Sequence, residues 1–202
     1  LIVYTTLKTM SSNIVFLDTE TTGLYPPRDK IVEIAIVDGN GEVLLNTLVD
    51  PKREIPLEVI NIHGIDNDMV KDSPTIEELE SQLIVILSGK KLIVYNLNFD
   101  IRLLSHRVVT SVKDKHRCML RFALVYGEWN QYHGNFKWKS LSTAAIHVGY
   151  KWKGEAHRAL AGQYTFPYLD DKDIERFHYE SFTPLPLNWR YFLRLNSGGT
   201  IE

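Results

Sequence analysis

The stretch NIVFLDTETTGL (13–24) decides the reading of this chain, because a short β-branched and aromatic run ends there on two acids and a glycine-containing turn. Such runs form strands. Pro26 and Pro27, in the following YPPRD, break regular structure. IVEIAIVD (31–38) then alternates, Asn40-Gly41 is a two-residue hairpin signal, and EVLLNTLVD (42–50) supplies the partner strand. The opening is therefore expected to be an antiparallel meander of three strands. Further out, residues 56–62 predict a short helix ending near Gly64. SPTIEELESQLIVIL (73–87) predicts a longer one, with Ser73 as its cap, Pro74 at its first position and acids in its first turns. KLIVYN (91–96) reads as a buried strand and FDIRLLSHRVV (99–109) as a helix that begins at its end. Residues 116–125 and 140–148 read as helices, with one more from about Ala156. Strands first, then helices alternating with a strand, imply an α/β fold with a mixed central sheet and helices on both faces.

Composition narrows the chemistry. The chain has 202 residues, 44% of them apolar, which is enough for one domain with a real core. The lone Cys118 excludes an internal disulfide framework and any zinc site built on two thiolates. No apolar run approaches the ~18–20 residues of a membrane span. LIVYTTLKTM (1–10) lacks the basic region of a signal peptide, so a cytoplasmic protein is expected. The formal net charge of −2 conceals a division. Residues 1–89 carry six Lys/Arg against fifteen Asp/Glu, and residues 90–158 carry thirteen against four. A basic half suits a polyanion backbone and an acidic half suits cations, although surface charges can also cluster for no functional reason.

Three short elements carry candidate chemistry. Asp18 and Glu20 are two apart at the end of the first strand, so they share a face. Two carboxylates placed there after an apolar run call for a divalent cation, or are simply exposed acids in a turn. Asn96-Leu97-Asn98-Phe99-Asp100 follows the second buried strand, at the strand terminus where sites form in such sheets. Asp100 there could equally serve as a helix cap. His157, in Gly154-Glu155-Ala156-His157-Arg158-Ala159, is either structural or a base that titrates near neutrality.

Taken in order, D-T-E-T-T-G-L, N-L-N-F-D and A-H-R-A-L-A resemble the DEDD-type 3′–5′ exonucleases of the histidine (DnaQ-like) subclass. That family includes polymerase proofreading subunits, ribonuclease T and exodeoxyribonuclease X. The resemblance runs from about Asn13 to Ala161 and includes Ile62-His63-Gly64-Ile65 and Ser140-Leu141. It implies a ribonuclease H-like fold and hydrolysis of phosphodiester bonds with two divalent cations, Mg²⁺ or Mn²⁺. Asp18 and Glu20 match the first motif's metal ligands and Asp100 the second motif's. His157 matches the general base. Leu24 and Phe99 match positions flanking the terminal base, and Thr21, Gly23 and Asn96 match positions expected to contact the terminal nucleotide. The implied partner is nucleic acid with a free 3′ end, DNA being favoured over RNA. The basic residues Lys137, Lys139, Lys151, Lys153 and Arg158 would guide its backbone.

One position departs from the pattern. The family's third motif places an aspartate five residues after the histidine, and Gly162 stands there. A missing anionic ligand should weaken the first ion's site. Engineering, natural divergence and a degenerate end-binding member all remain open as explanations, and an impaired exonuclease is the reading favoured. The alternatives are a catalytically inactive module that binds single-stranded ends and a subunit whose main task is assembly with a protein partner or a second copy. The expected organisation is an extension over 1–12, an exonuclease domain over 13–166 and a C-terminal extension over 167–202, packed in part by Trp189, Tyr191 and Phe192.

Overall fold

The computed structural model describes residues 13–149 together with 158–159. The helix expected from Ala156 and both terminal extensions lie outside the described residues, apart from Arg158 and Ala159. A five-stranded sheet runs in the order β3-β2-β1-β4-β5, with β1 at Ile14–Thr21, β2 at Ile31–Asp38, β3 at Val43–Leu48, β4 at Lys91–Val94 and β5 at Asp114–Arg117. The expected meander is present. β1 pairs antiparallel with β2, and β2 with β3, across the Asn40-Gly41 turn. β4 joins the other side of β1 in parallel and β5 extends the parallel half.

Every residue of β2 is buried, because it lies between two strands and both faces of the sheet are covered. Alternation sorts the side chains. Val15, Leu17, Ile34 and Ile36 enter one core with Leu92 and Val94. It is closed by Leu83 and Leu87 of α3 (Glu80–Leu87) and Val108 of α5 (His106–Ser111). Phe16 and Val37 face the other way, onto Cys118, Met119 and Phe122 of α6 (Cys118–Tyr126) and Ala144 of α7 (Leu141–His147). Between β3 and α3, the short helices α1 (Leu57–His63) and α2 (Asn67–Val70) cover Val32 with Ile65 and Val70. Gly64 ends α1 in the left-handed region at φ 73°, where its N–H reaches the Ile60 carbonyl.

Several sequence expectations need correction. The helix expected over 73–87 becomes regular only at Glu80, because Thr75 and Glu78 close a turn of their own: Thr75 N–H donates to Glu78 Oε2 at 2.7 Å and Glu78 N–H to Thr75 Oγ1 at 3.2 Å. The helix expected over 99–109 is two, α4 (Leu97–Asp100) and α5, and Ser105 caps the second by accepting from Val108 N–H. Residues 114–117 form β5 instead of opening a helix at 116. A small hairpin, β6 (Trp129–Asn130) with β7 (Asn135–Phe136), was not anticipated.

Candidate active site

β1 and β4 are parallel, so both present their C-terminal ends at one edge of the sheet. Asp18, Thr19, Glu20 and Thr21 close β1 there, and Asn96 to Asp100 follow β4 as α4. Phe16, Asp18 and Glu20 alternate onto the face covered by α6 and α7, and Glu33, Ala35 and Val37 of β2 lie on that same face. Asp100 is only 4% exposed. Its Oδ1 accepts a 2.7 Å hydrogen bond from Thr19 Oγ1, which fastens α4 to β1.

The electrostatics show that these carboxylates crowd one another. Burial pushes the Asp18 carboxyl well above its usual range, and the charges of Asp100 and then Glu20 push it further. Burial and the neighbouring Glu33 raise Glu20 to about 7, with Arg158 pulling the other way. Burial raises Asp100 to about 7 against the opposing effect of the Thr19 hydroxyl. Asp18, Glu20 and Asp100 thus form one group whose ionised state is unfavourable without a counter-charge.

Among the described residues, no group of three or more His, Cys, Asp and Glu side chains is arranged to hold a metal ion as it stands. The donor chemistry nevertheless fits a hard divalent cation. All the donors are carboxylate oxygens, Asp100 is buried while Asp18 and Glu20 are half-buried, and the charge of Asp100 acts against ionisation of the other two.

Glu33 is a residue that sequence reasoning missed. It is 2% exposed and stands directly opposite Glu20 in the β1–β2 register. Arg158 Nε lies 3.1 Å from both its oxygens, Arg158 Nη2 donates to Oε1 at 2.6 Å, and Ala159 N–H donates to Oε2 at 2.8 Å. Both Glu33 oxygens are therefore engaged, and Glu33 does not stand in for the carboxylate absent at 162. The signal available in the sequence was an acid in the interior of an otherwise apolar strand.

The remaining candidates divide. Leu24 is 76% exposed at the mouth of the loop that leaves β1, while Phe99 is half-buried and Asn96 exposed on α4. Arg102 Nη2 donates to the Pro26 carbonyl at 2.9 Å, linking the segment after α4 to the Leu24 loop. Thr21 is buried and donates its hydroxyl to the Gly23 carbonyl at 2.7 Å, which braces the loop from within. A Cβ on Gly23 would stand 2.4 Å from Asp29 Oδ2, so only glycine fits there. The described members of the expected basic guide each have a carboxylate partner. Arg158 is committed to Glu33, and Lys137 and Lys139 both pair with Glu128. His157, Gly162, Lys151 and Lys153 lie outside the described residues.

The RNase T exonuclease family profile matches residues 15–161. The chain belongs to this exonuclease family. The exonuclease is 34% identical over 165 residues to exonuclease CP81 of Escherichia phage 186, covering 76% of this chain and 84% of that protein. It is 36% identical over 99 residues to the DNA polymerase III epsilon subunit of Rickettsia conorii, covering 46% of this chain and 43% of the subunit. Among solved structures, exonuclease X in complex with 5′ overhanging duplex DNA superposes with a TM-score of 0.59 at 24% identity, over 84% of this chain and 94% of that one. Exonuclease I superposes at 0.62 and 15% identity, over 81% and 40%. The fold is ribonuclease H-like, and the exonuclease is a DnaQ-like hydrolase of the nuclease class. No helix among the described residues is long and apolar enough to cross a membrane.

Proposed function

We propose that this exonuclease removes nucleoside monophosphates from the 3′ end of single-stranded DNA with two divalent cations, Mg²⁺ or Mn²⁺, at a reduced rate because Gly162 replaces a ligand. One observation supports the reading: Asp18, Glu20 and Asp100, drawn from two separate stretches of chain, meet at a single sheet edge, where burial raises the proton affinity of all three and the charge of Asp100 adds to it at Asp18 and Glu20. Asp18, Glu20 and Asp100 would hold the ions, which when bound supply an activated water and neutralise the leaving oxygen. Thr19 orients Asp100 through its hydroxyl. His157 takes the proton of the attacking water on a ring nitrogen, a role within the range of an imidazole near neutrality. Leu24 presents an apolar face to the terminal base, and Phe99 an aromatic one, so that an unpaired end is held without sequence readout.

A labelled single-stranded oligonucleotide tests this directly. Ladder-like shortening from the 3′ end with Mg²⁺ or Mn²⁺, abolished by EDTA, is expected, and Gly162→Asp should raise the rate. If that substitution leaves the rate unchanged, the ligand assignment at 162 is wrong. A second reading, an end-binding module without turnover, draws on the same glycine and on the full engagement of Glu33 by Arg158. Retention of the oligonucleotide without shortening, with Gly162→Asp equally inert, would favour it.

A further inference from the structure

We infer that the hairpin of β6 and β7 is a stacking platform for single-stranded DNA: Trp129 and Trp138 on one side of it, with Tyr132 at its tip, receive the unpaired bases that trail behind the 3′ nucleotide. The inference rests on the function proposed above and extends its substrate contact beyond Leu24 and Phe99. Tyr132 is 90% exposed, Trp138 58% and Trp129 50%. The three rings concentrate exposed apolar surface on the one connection between α6 and α7, and such concentrations mark interaction sites. The backbone that carries them is tied to itself. Asn130 Oδ1 accepts from Tyr132 N–H at 3.1 Å and from His133 N–H at 3.3 Å, and the Asn130 carbonyl accepts from Gly134 N–H at 2.9 Å. Gly134 turns the chain at φ 62°, and Trp129 meets Phe136 edge-on at 5.1 Å between ring centroids.

Register separates the two sides of the hairpin. Trp129 stands opposite Phe136, so both lie on one face. Lys137 and Lys139 both reach the Glu128 carboxylate, so Trp138 between them turns to the other side, with Trp129 and Phe136. One face is thus aromatic and the other basic. The root of the hairpin is fastened beside α4, which carries Asp100. Tyr95 Oη donates to the Lys139 carbonyl at 2.8 Å, with the Ser140 carbonyl 3.1 Å away, and Tyr95 directly precedes Asn96. The helices that the hairpin joins cover the sheet face onto which Asp18 and Glu20 alternate. Charge identifies the occupant. Residues 113–139 carry six Lys/Arg against two Asp/Glu, so cations stay in surplus after Lys137 and Lys139 share Glu128. Arg117 ends β5 at the same edge where β1 ends in acids. A polyanion is drawn to such a surface. Exposed aromatic faces then select a strand whose bases are unpaired, because only those bases have a free face to stack.

The test uses the whole chain and a fluorescent single strand of DNA of about 20 nucleotides, in EDTA, so that binding is read without cleavage. Wild type should bind the strand with quenching of its tryptophan emission, and should bind the blunt duplex of the same sequence more weakly. Trp129→Ala/Tyr132→Ala/Trp138→Ala should bind the strand about 10- to 100-fold more weakly, the loss expected when stacked bases lose their rings. Trp129→Phe/Trp138→Phe keeps the rings and should retain most of the affinity, and thermal unfolding checks that both variants are folded. With Mg²⁺ and Gly162→Asp in the background, KM for the long strand should rise in the triple variant, while kcat and the cleavage of a dinucleotide, which has no trailing strand, stay little changed. Equal affinity of wild type and the triple variant, or an equal loss on the dinucleotide, would overturn the inference while leaving the nuclease reading intact. A dimer that the triple substitution abolishes without changing DNA binding would also overturn it, since the rings would then serve a second copy. Ring-dependent binding with no cleavage in Mg²⁺ or Mn²⁺, even with Gly162→Asp, would sink the nuclease reading and leave the platform standing.

Discussion

Removing divalent cations and raising the pH from 5 to 8 should destabilise this protein, and the geometry at the end of β1 says by how much. Glu20 titrates at about 7 in the folded chain against an ordinary 4.5, through burial and then the charge of Glu33. A carboxyl with a raised folded value favours folding while protonated, so its contribution is complete below the unfolded value and is lost as pH climbs through the folded one. The window therefore runs from about 4.5 to about 7. At 1.36 kcal/mol per pH unit this amounts to roughly 2–3 kcal/mol for Glu20 alone, after a discount for its partial exposure. For a chain of this size, that corresponds to about 5–10 °C in Tm. The assay is thermal unfolding in EDTA at pH 5, 6, 7 and 8, with wild type beside Glu20→Gln. Wild type should lose stability across the series, and the variant should lose less by the stated amount. Excess Mg²⁺ or Mn²⁺ should restore wild type at pH 8, because a cation favours the ionised carboxylates. A wild-type slope identical to that of Glu20→Gln would refute the reasoning, since it would mean that Glu20 does not sit among like charges.

Other expectations follow from single contacts. Thr19→Val removes the hydroxyl that donates to Asp100 Oδ1, so the Asp100 carboxyl should titrate still higher and Mn²⁺ affinity, followed by calorimetry, should drop at pH 7. Gly23→Ala drives a methyl toward Asp29 Oδ2, which also accepts from Tyr25 N–H, and should cost about 1–3 kcal/mol by urea denaturation. Phe122→Ala empties the core between β1 and α6 and should cost about 3–5 kcal/mol in the same measurement without altering which metal restores activity. Leu24→Ala should raise KM for single-stranded substrate with little change in kcat, because the exposed leucine stands away from the carboxylates.

The antiparallel half of the sheet was legible because its signals are local: alternation in β2, Asn40-Gly41 at the turn and a β-branched run in β1. β5 was not, since Asp114-Lys115-His116-Arg117 has no strand composition and pairs only because β4 offers it an open edge. The division of residues 99–109 into two helices could have been anticipated from Ser105, which caps α5. In the site, Asp18, Glu20 and Asp100 were legible as acids at strand ends. Glu33 was not, because an acid inside a strand reads as its solvent face, and only the three-dimensional pairing with Arg158 reveals a buried one. The same pairing gives Arg158, expected from its charge to guide a backbone, a buried carboxylate as partner.

The hydrogen bond from Thr19 to Asp100 spans 81 positions of sequence, and the contact of Arg158 with Glu33 spans 125. Closures of that length come late in folding, because the intervening loops must first surrender their entropy. A chain still emerging from the ribosome cannot bring Thr19 to Asp100 until residue 100 is free, and cannot engage both oxygens of Glu33 until residue 159 is. The buried acids of this sheet edge therefore gain their partners in two instalments, the first near the middle of the chain and the second only after its 158th residue.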